Sequence, residues 1–383
     1  MANPIRRFQE TQETYKGLDA KDRKKFWIDG LLNNGLYIIM FIFILYTAVN
    51  NANFVSMSSI INLVTLVAAS LPMALGVAGC IVLTGTDLSG GRVIGLTAAV
   101  SGALLQSHTV SRKVLALAPL REYVNESGET VMGIPAWWVL ITILIVVLIG
   151  AAVGFVNGFF VAKFSLHPFI VTLATQLITY SLILNFFQIN GNNGAPISGL
   201  SDEYKQAVSL PLFRITIGEN AAGKPITIAI PMYVLYAVIL AVILWFVWNK
   251  TTFGKNMFAV GSNAEAAKVS GVNVFWTTTL VHTLAGAMYG FTGFVEGARV
   301  GSIAADTGLS SETDAIAACV IGGVSFVGGT GSIGGVVLGV FVLRIIFVAL
   351  TMLGINPNLQ YLIKGAIILV AVALDMRKYL TKK

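Results

Sequence analysis

Charge is scarce in this chain. Only 11% of its 383 residues are Asp, Glu, Lys or Arg, against 56% hydrophobic, whereas soluble domains carry about a quarter charged residues. Too few charged side chains are present to cover a water-facing surface, so an ordinary soluble globular protein is excluded and lipid is the solvent for most of the chain. Cysteine is nearly missing: Cys80 and Cys319 both lie in apolar stretches, which leaves no disulfide framework and reads as two small core residues. Histidine is confined to His108, His167 and His282, none at metal-ligand spacing from another or from a cysteine. No G-x-S-x-G elbow, H-E-x-x-H pair or G-x-x-x-x-G-K-S/T phosphate loop occurs. No catalytic residue, metal or cofactor is therefore expected on this chain, and any ATP it depends on must be bound by another. One nucleotide-like spacing does occur, Gly329, Gly331 and Gly334 in "VGGTGSIGGVVLG". It lacks the preceding strand, and the next carboxylate is Asp375, too far for the ribose contact of a dinucleotide site.

Long apolar runs are what the chain has instead. Residues 36–49, 137–161, 232–247 and 361–374 are nearly free of charge and approach or reach the ~20 residues a helix needs to cross a bilayer. Ten candidate spans follow, at 31–50, 58–83, 92–107, 136–162, 169–189, 230–249, 276–296, 313–328, 331–353 and 358–375. The third and eighth are short or glycine-broken, as re-entrant or tilted segments are. The expected class is an all-α polytopic membrane protein with a cytoplasmic N-terminal arm (1–30), one transmembrane domain (31–375) and a cytoplasmic tail (376–383). The hydrophilic arm argues against a cleaved signal peptide. The net charge of +7 reads as positive-inside bias rather than a nucleic-acid surface, because Lys163, Lys250, Lys255, Lys268, Arg377 and Lys378 all fall on the side of the basic N-terminus. The polar connections 107–135 and 190–229 then lie outside. With both termini inside, the halves 31–189 and 230–375 must be inverted relative to each other. A faint internal echo, "GTDLSGGRVIGLTAAV" against "GLSSETDAIAACVIGG", fits that arrangement.

Four groups of residues carry the functional expectations. In "TGTDLSGGR", Asp87, Ser89, Gly90 and Gly91 sit between apolar helices; a carboxylate at membrane depth suggests a gate, and a helix cap starting near Gly90 is the competing reading. In "GKNMFAVGSNAEAAKVSGVNV", Asn263 caps a short helix carrying Glu265, Ala266, Ala267 and Lys268, and Gly271 ends it. A helix that short needs packing or a partner to persist, with Ala267 and Val269 offered for contact. Asn157, Gln176, Asn185 and Gln188, with Thr172 and Thr175, suit a path for a neutral polyhydroxylated solute and equally suit interhelical glue. Glu296, Asp314 and Lys364 fall at one level near the outer side, where a structural ion pair is expected. Finally, Gly150, Gly154 and Gly158, and again Gly331, Gly335 and Gly339, repeat the small-xxx-small spacing that lets helices approach closely in lipid.

The stretches "GTDLSGG", "GKNMFAVGSNAEAAKVSGVNV", "TDAIAACVIGGVSFVGGTGSIGG" and "GINPNLQYLIKGAIILVAVALD" together resemble the permease subunits of bacterial sugar ABC importers of the ribose/xylose/galactose group, the galactose type most. That resemblance implies an inner-membrane permease homodimer, an ABC ATPase docked on the cytoplasmic side and a periplasmic or lipid-anchored sugar-binding protein on the other. It also implies that Asn263, Glu265, Ala266, Ala267, Lys268 and Gly271 seat in the ATPase. The exported loops and N-terminal arm depart from the galactose-type pattern, leaving ribose, xylose or a nucleoside as alternative solutes. An ion-coupled secondary transporter is the reading from a different class. It would need an ionisable residue near the midplane, whereas the carboxylates here fall mainly at predicted span ends.

Overall fold

A computed structural model describes residues 40–111, 113–124, 130–219 and 225–380; the expected N-terminal arm, the start of the first span and the tips of both long connections lie outside them. Each of the ten candidate spans has a helix: α1 (Met40–Asn50), α2 (Met57–Val82), α3 (Gly90–Leu104), α4 (Ala136–Phe164), α5 (Pro168–Phe186), α7 (Met232–Lys250), α10 (Val274–Val300), α11 (Ser311–Ile321), α12 (Ile333–Met352) and α13 (Pro357–Leu380). Three shorter helices lie between them: α6 (Asp202–Ser209), α8 (Thr252–Ser262) and α9 (Ala264–Val269). Among the described residues, α2, α4, α5, α7 and α12 are long and apolar enough to cross a membrane on length and hydropathy alone. Helix starts are set by local chemistry: Ser56, Asn273 and Ser332 accept from the backbone N–H three residues on, and Pro168 opens α5 at the position where a missing N–H costs nothing.

The bundle is built around α10, which packs on α2, α3 and α4. It is rich in threonine and glycine, and sixteen of its residues are buried, because a helix enclosed by protein needs no lipid-facing apolar surface. Its most extensive contact is with α4, and the α4 glycines explain it. A Cβ on Gly150 would overlap the Gly286 carbonyl oxygen, one on Gly154 the His282 carbonyl oxygen, and one on Gly158 would lie 2.7 Å from the Thr279 Cα. The opposite face of α4 presents Leu140, Leu144 and Leu148, all exposed, as a lipid-facing surface does.

The two short helices are half-helices that begin in the middle of the bundle. α3 has 15 residues and α11 has 11, so at 1.5 Å per residue they span about 22 and 16 Å, short of a ~30 Å hydrocarbon core. Gly90 packs against Met73 and Tyr289, and Met73 lies about 13 Å before the end of α2 at Val82. One residue further on, Gly91 meets Glu312 and the Gly308 carbonyl at the start of α11. α3 then runs to the end of the molecule that carries two β-hairpins, while α11 runs the other way, to where Gly322 packs on Gly335. The two N-termini thus meet back to back, the arrangement an inverted repeat generates.

The long connections are folded rather than open loops. β1 (Arg121–Val124) pairs antiparallel with β2 (Thr130–Gly133), and β3 (Pro211–Glu219) with β4 (Pro225–Pro231). Backbone bridges Gln106–Leu200 and Ile197–Ile303 tie them to the ends of α3 and α10. α6 adds an anchor: Tyr204, fully buried, donates 2.6 Å to the Phe294 carbonyl and lies 2.9 Å from Ser101 Oγ. Burial pushes its hydroxyl pKa up, which keeps it a donor. The sequence reading missed this architecture because a short amphipathic helix and two exposed hairpins leave little hydrophobic periodicity to read.

The glycine contacts give a contrasting pair of expectations. Gly154→Leu should lower the thermal midpoint of the purified protein, overpacking costing about 1–3 kcal/mol. Gly334→Ala, where no atom lies within 4 Å, should leave the midpoint unchanged or raise it, since Ala is favoured over Gly by up to ~1 kcal/mol in a helix. Equal midpoints for the two variants in a thermal melt would refute the account of the α4–α10 crossing.

Candidate functional site

Residues 83–89 rise from the end of α2 into the bundle and stop at the half-helix α3. Here Asp87 is wholly buried, and its partners come from three elements. Its Oδ1 accepts from the Ser89 N–H at 2.9 Å and the Ser89 hydroxyl at 2.6 Å, and its Oδ2 accepts from the Tyr289 hydroxyl at 3.3 Å. Asn157 on α4 donates to Ser89 Oγ at 2.9 Å and accepts from the Thr175 hydroxyl of α5 at 2.6 Å. Thr172 accepts from the Leu88 N–H at 3.1 Å. Ser89 occupies the N-cap position of α3 but makes no capping bond with its side chain; that hydroxyl is used in the network. The arrangement is a continuous polar brace that satisfies an irregular backbone where no water is available.

Toward the hairpin end, on the other side of the meeting N-termini, a cleft of about 230 Å³ opens between α2, α3, α10, α11 and α12. Its polar wall is Ser70, Thr292, Glu296, Arg299, Asp314 and Arg344. Glu296 takes a forked pair of bonds from Arg299, 2.9 Å from Nε and 2.7 Å from Nη2. Lys364 Nζ lies 2.5 Å from Asp314 Oδ1, and Arg344 Nη2 lies 4.0 Å from Oδ2 while its Nε donates to Ser70 Oγ at 3.0 Å. The expected outer-level ion pair therefore forms between Lys364 and Asp314, whereas Glu296 pairs with Arg299 on its own helix.

At the opposite end, α8 and α9 form a projecting pair. Asn263 Oδ1 accepts from the Ala266 N–H at 2.9 Å and so caps α9; Gly271, at φ +85°, closes it. Asn263, Glu265, Ala266, Lys268 and Gly271 are exposed. Ala267 is not: it is 4% exposed, turned inward to hold the short helix to the domain, which corrects its expected role as a contact surface. Val269, at 89%, is the exposed apolar side chain of the pair.

The other sequence candidates separate by environment. Asn157 belongs to the brace rather than to an open passage. Gln176 is half-buried on α5, and Asn185 and Gln188 are exposed at its hairpin end, outside both brace and cleft, because the polar face they were read from turns with the helix. Gly335 and Gly339 pack on the Gly322 and Ala318 carbonyls, whereas Gly331 precedes the Ser332 cap and lies outside α12. Tyr289, Thr292, Arg299 and Arg344 were missed. A signal existed for Arg344, a lone charge in "VVLGVFVLRIIFVAL". Tyr289 and Thr292 carry none, being ordinary helix residues until the fold brings Asp87 and the cleft to them. The argument from carboxylates at span ends also fails for Asp87, Glu312 and Asp314, since the helices they introduce start at depth.

A lipid-embedded bundle with two half-helices meeting at its centre, a braced loop on one side and a polar cleft on the other is a membrane permease. The chain belongs to the family described as branched-chain amino acid transport system / permease component, whose pattern matches residues 59–372. It is 39% identical over 367 residues to the galactose/methyl galactoside import permease protein of Escherichia coli (strain K12), covering 94% of this chain and 98% of that one. The corresponding Haemophilus influenzae protein is also 39% identical, covering 93% and 97%. The ribose import permease protein of Bacillus subtilis (strain 168) is 30% identical, covering 93% and 97%. No solved structure matches. The role of the chain is thus transport rather than catalysis.

The brace makes a measurable claim. Asn157→Ala should lower the thermal midpoint, leaving the buried Ser89 hydroxyl without its donor at a cost of about 1–3 kcal/mol. In a double-mutant cycle with Thr175→Val, the two losses should overlap by ~0.6–1.7 kcal/mol. Strict additivity would show that the two side chains do not act as one unit.

Proposed function

We propose that this chain forms the path by which an ABC importer in a bacterial cytoplasmic membrane brings in a monosaccharide, galactose or a methyl galactoside foremost. The observation that carries the reading is the 39% identity to galactose/methyl galactoside permeases across nearly the whole of both chains, against 30% and 28% for ribose permeases. The family description mentions amino acids, but the cleft pairs its carboxylates with cations of its own, which favours a solute without charge. Ribose, xylose or a nucleoside stand next. An ion-coupled carrier ranks below them because the relatives are import permeases matched end to end.

In this reading the hairpin end faces outward and receives solute from a binding protein, and the α8–α9 pair faces the cytoplasm and seats in a partner ATPase. Homodimeric pairing is carried by the resemblance alone. ATP-driven movement of α9 reaches the translocation machinery through direct contact. Gly261 at the end of α8 packs on the Val82 carbonyl and Gly329, Gly329 N–H donates to Val82 O at 2.9 Å, and Gly328 packs on Thr84. Displacement there moves the loop 83–89 that closes the inner side of the bundle, giving alternating access.

Vesicles holding this chain with its ATPase and binding protein should take up galactose when ATP is supplied, with no effect of a protonophore. Uptake that persists without the ATPase and collapses with protonophore would overturn the ABC reading. For the coupling segment, Glu265→Ala and Gly271→Val should cut uptake about tenfold while the protein still inserts, the latter because an L-residue at positive φ costs roughly 1–2 kcal/mol. Parental uptake in both variants would remove α9 from the coupling role.

A further inference from the structure

The cleft between α2, α10, α11 and α12 has features that ion pairs alone do not explain. Ion pairs that only hold helices together are closed off by packing, yet Glu296, Arg299, Asp314 and Arg344 keep 17–30% of their side-chain surface and line an open volume of about 230 Å³. That is roughly the share of seven or eight waters in the liquid, enough for a single sugar ring. Hydrogen-bonding capacity is also left over. The contact between Lys364 and Asp314 Oδ1 lacks hydrogen-bond geometry and leaves that oxygen without a bonded donor. Arg344 commits its Nε to Ser70, while its Nη2 stands 4.0 Å from Asp314. Two carboxylates and two guanidinium groups balance, so the cleft selects no ion. Opposite them Leu66, Met73 and Leu343 offer an apolar wall.

Resting on the sugar-permease reading, we propose that this cleft is a receiving subsite for one neutral polyhydroxylated ring. Glu296 and Asp314 accept from its hydroxyls, Arg344 donates to them, and the apolar wall takes a C–H face. The site lies on the hairpin side of the meeting N-termini of α3 and α11, with the brace around Asp87 beneath it. A solute there waits above a closed floor, and lowering that floor is the next step in its passage.

The test uses the whole transporter, permease with ATPase and binding protein, in vesicles. Glu296→Gln and Asp314→Asn should each raise the KM for galactose uptake about tenfold with a smaller fall in maximal rate, the split expected when ground-state contacts to the solute are lost. A role limited to ion pairing predicts instead that the double change E296Q/R299Q recovers uptake; recovery would overturn the subsite. A second measurement does not depend on those variants. Cys80 and Cys319 are fully buried, so Ser311→Cys places one reactive thiol in the cleft, and millimolar galactose should slow its modification by a membrane-impermeant maleimide severalfold. Unslowed modification in a parent that does import galactose would overturn the subsite and leave the sugar reading standing. A parent that imports no galactose would overturn both.

Discussion

Backbone amides in hydrocarbon have no water to turn to, and the distinctive parts of this fold answer that constraint at the one place where helices are broken. α3 and α11 both begin in mid-bundle, so their unpaired N–H groups and the irregular segments leading to them need partners inside the protein. Part of the answer is steric. Residues 303–308 run along α3 so closely that Gly91, Gly95 and Gly102 leave no room for a Cβ against Gly308, Thr307 and Ile303. Part is electrostatic. Two helix N-termini facing each other bring together two partial positive charges, and Glu312, 7% exposed, lies against Gly91 at that junction. The Asp87 network meets the same need from the other side.

The packing of α4 on α10 follows the same logic at longer range. Between helices in lipid there is no hydrophobic gain to be had, so close van der Waals approach has to supply the association. Gly150, Gly154 and Gly158 on one helix and Gly286 and Gly290 on the other bring the backbones together over several turns. That contact also fixes Asn157 opposite Ser89 and Tyr289 opposite Asp87. A shift of one helical turn would separate each pair by about 5.4 Å and strand several buried polar groups at once. The glycines therefore set the register that the polar brace requires.

Most of the membrane architecture was legible in the sequence, because a span needs only a long apolar run and each of the ten runs became a helix. Asn263 and Gly271 were legible too, since capping and a left-handed turn are local chemistry. What stayed hidden depends on depth and direction. The runs 92–107 and 313–328 gave no sign that their helices begin midway and meet, and a carboxylate at the end of such a run was read as lying near the surface. Ala267 was misplaced because six residues are too few to show which face of a helix turns inward. Arg344 was visible as a lone charge, but its partners Ser70 and Asp314 lie on other helices, and only the fold joins them.

The glycine-rich stretch after α11 shows how one sequence pattern serves a purpose other than its spacing suggests. Gly328 and Gly329 take φ of +88° and +66°, conformations that favour glycine, and no strand precedes them. Those turns press the stretch into the junction of Val82, Thr84, Gly261 and Ser262, where α2 ends, the re-entrant loop begins and α8 finishes. Any rotation of the α8–α9 pair must be accommodated at this point, since no side chain there is large enough to absorb it. The segment that resembles a phosphate cradle is placed to pass on motion powered by a nucleotide bound elsewhere. Its rigidity and its lack of side chains serve that transmission for the same reason: backbone packed on backbone leaves nothing to deform.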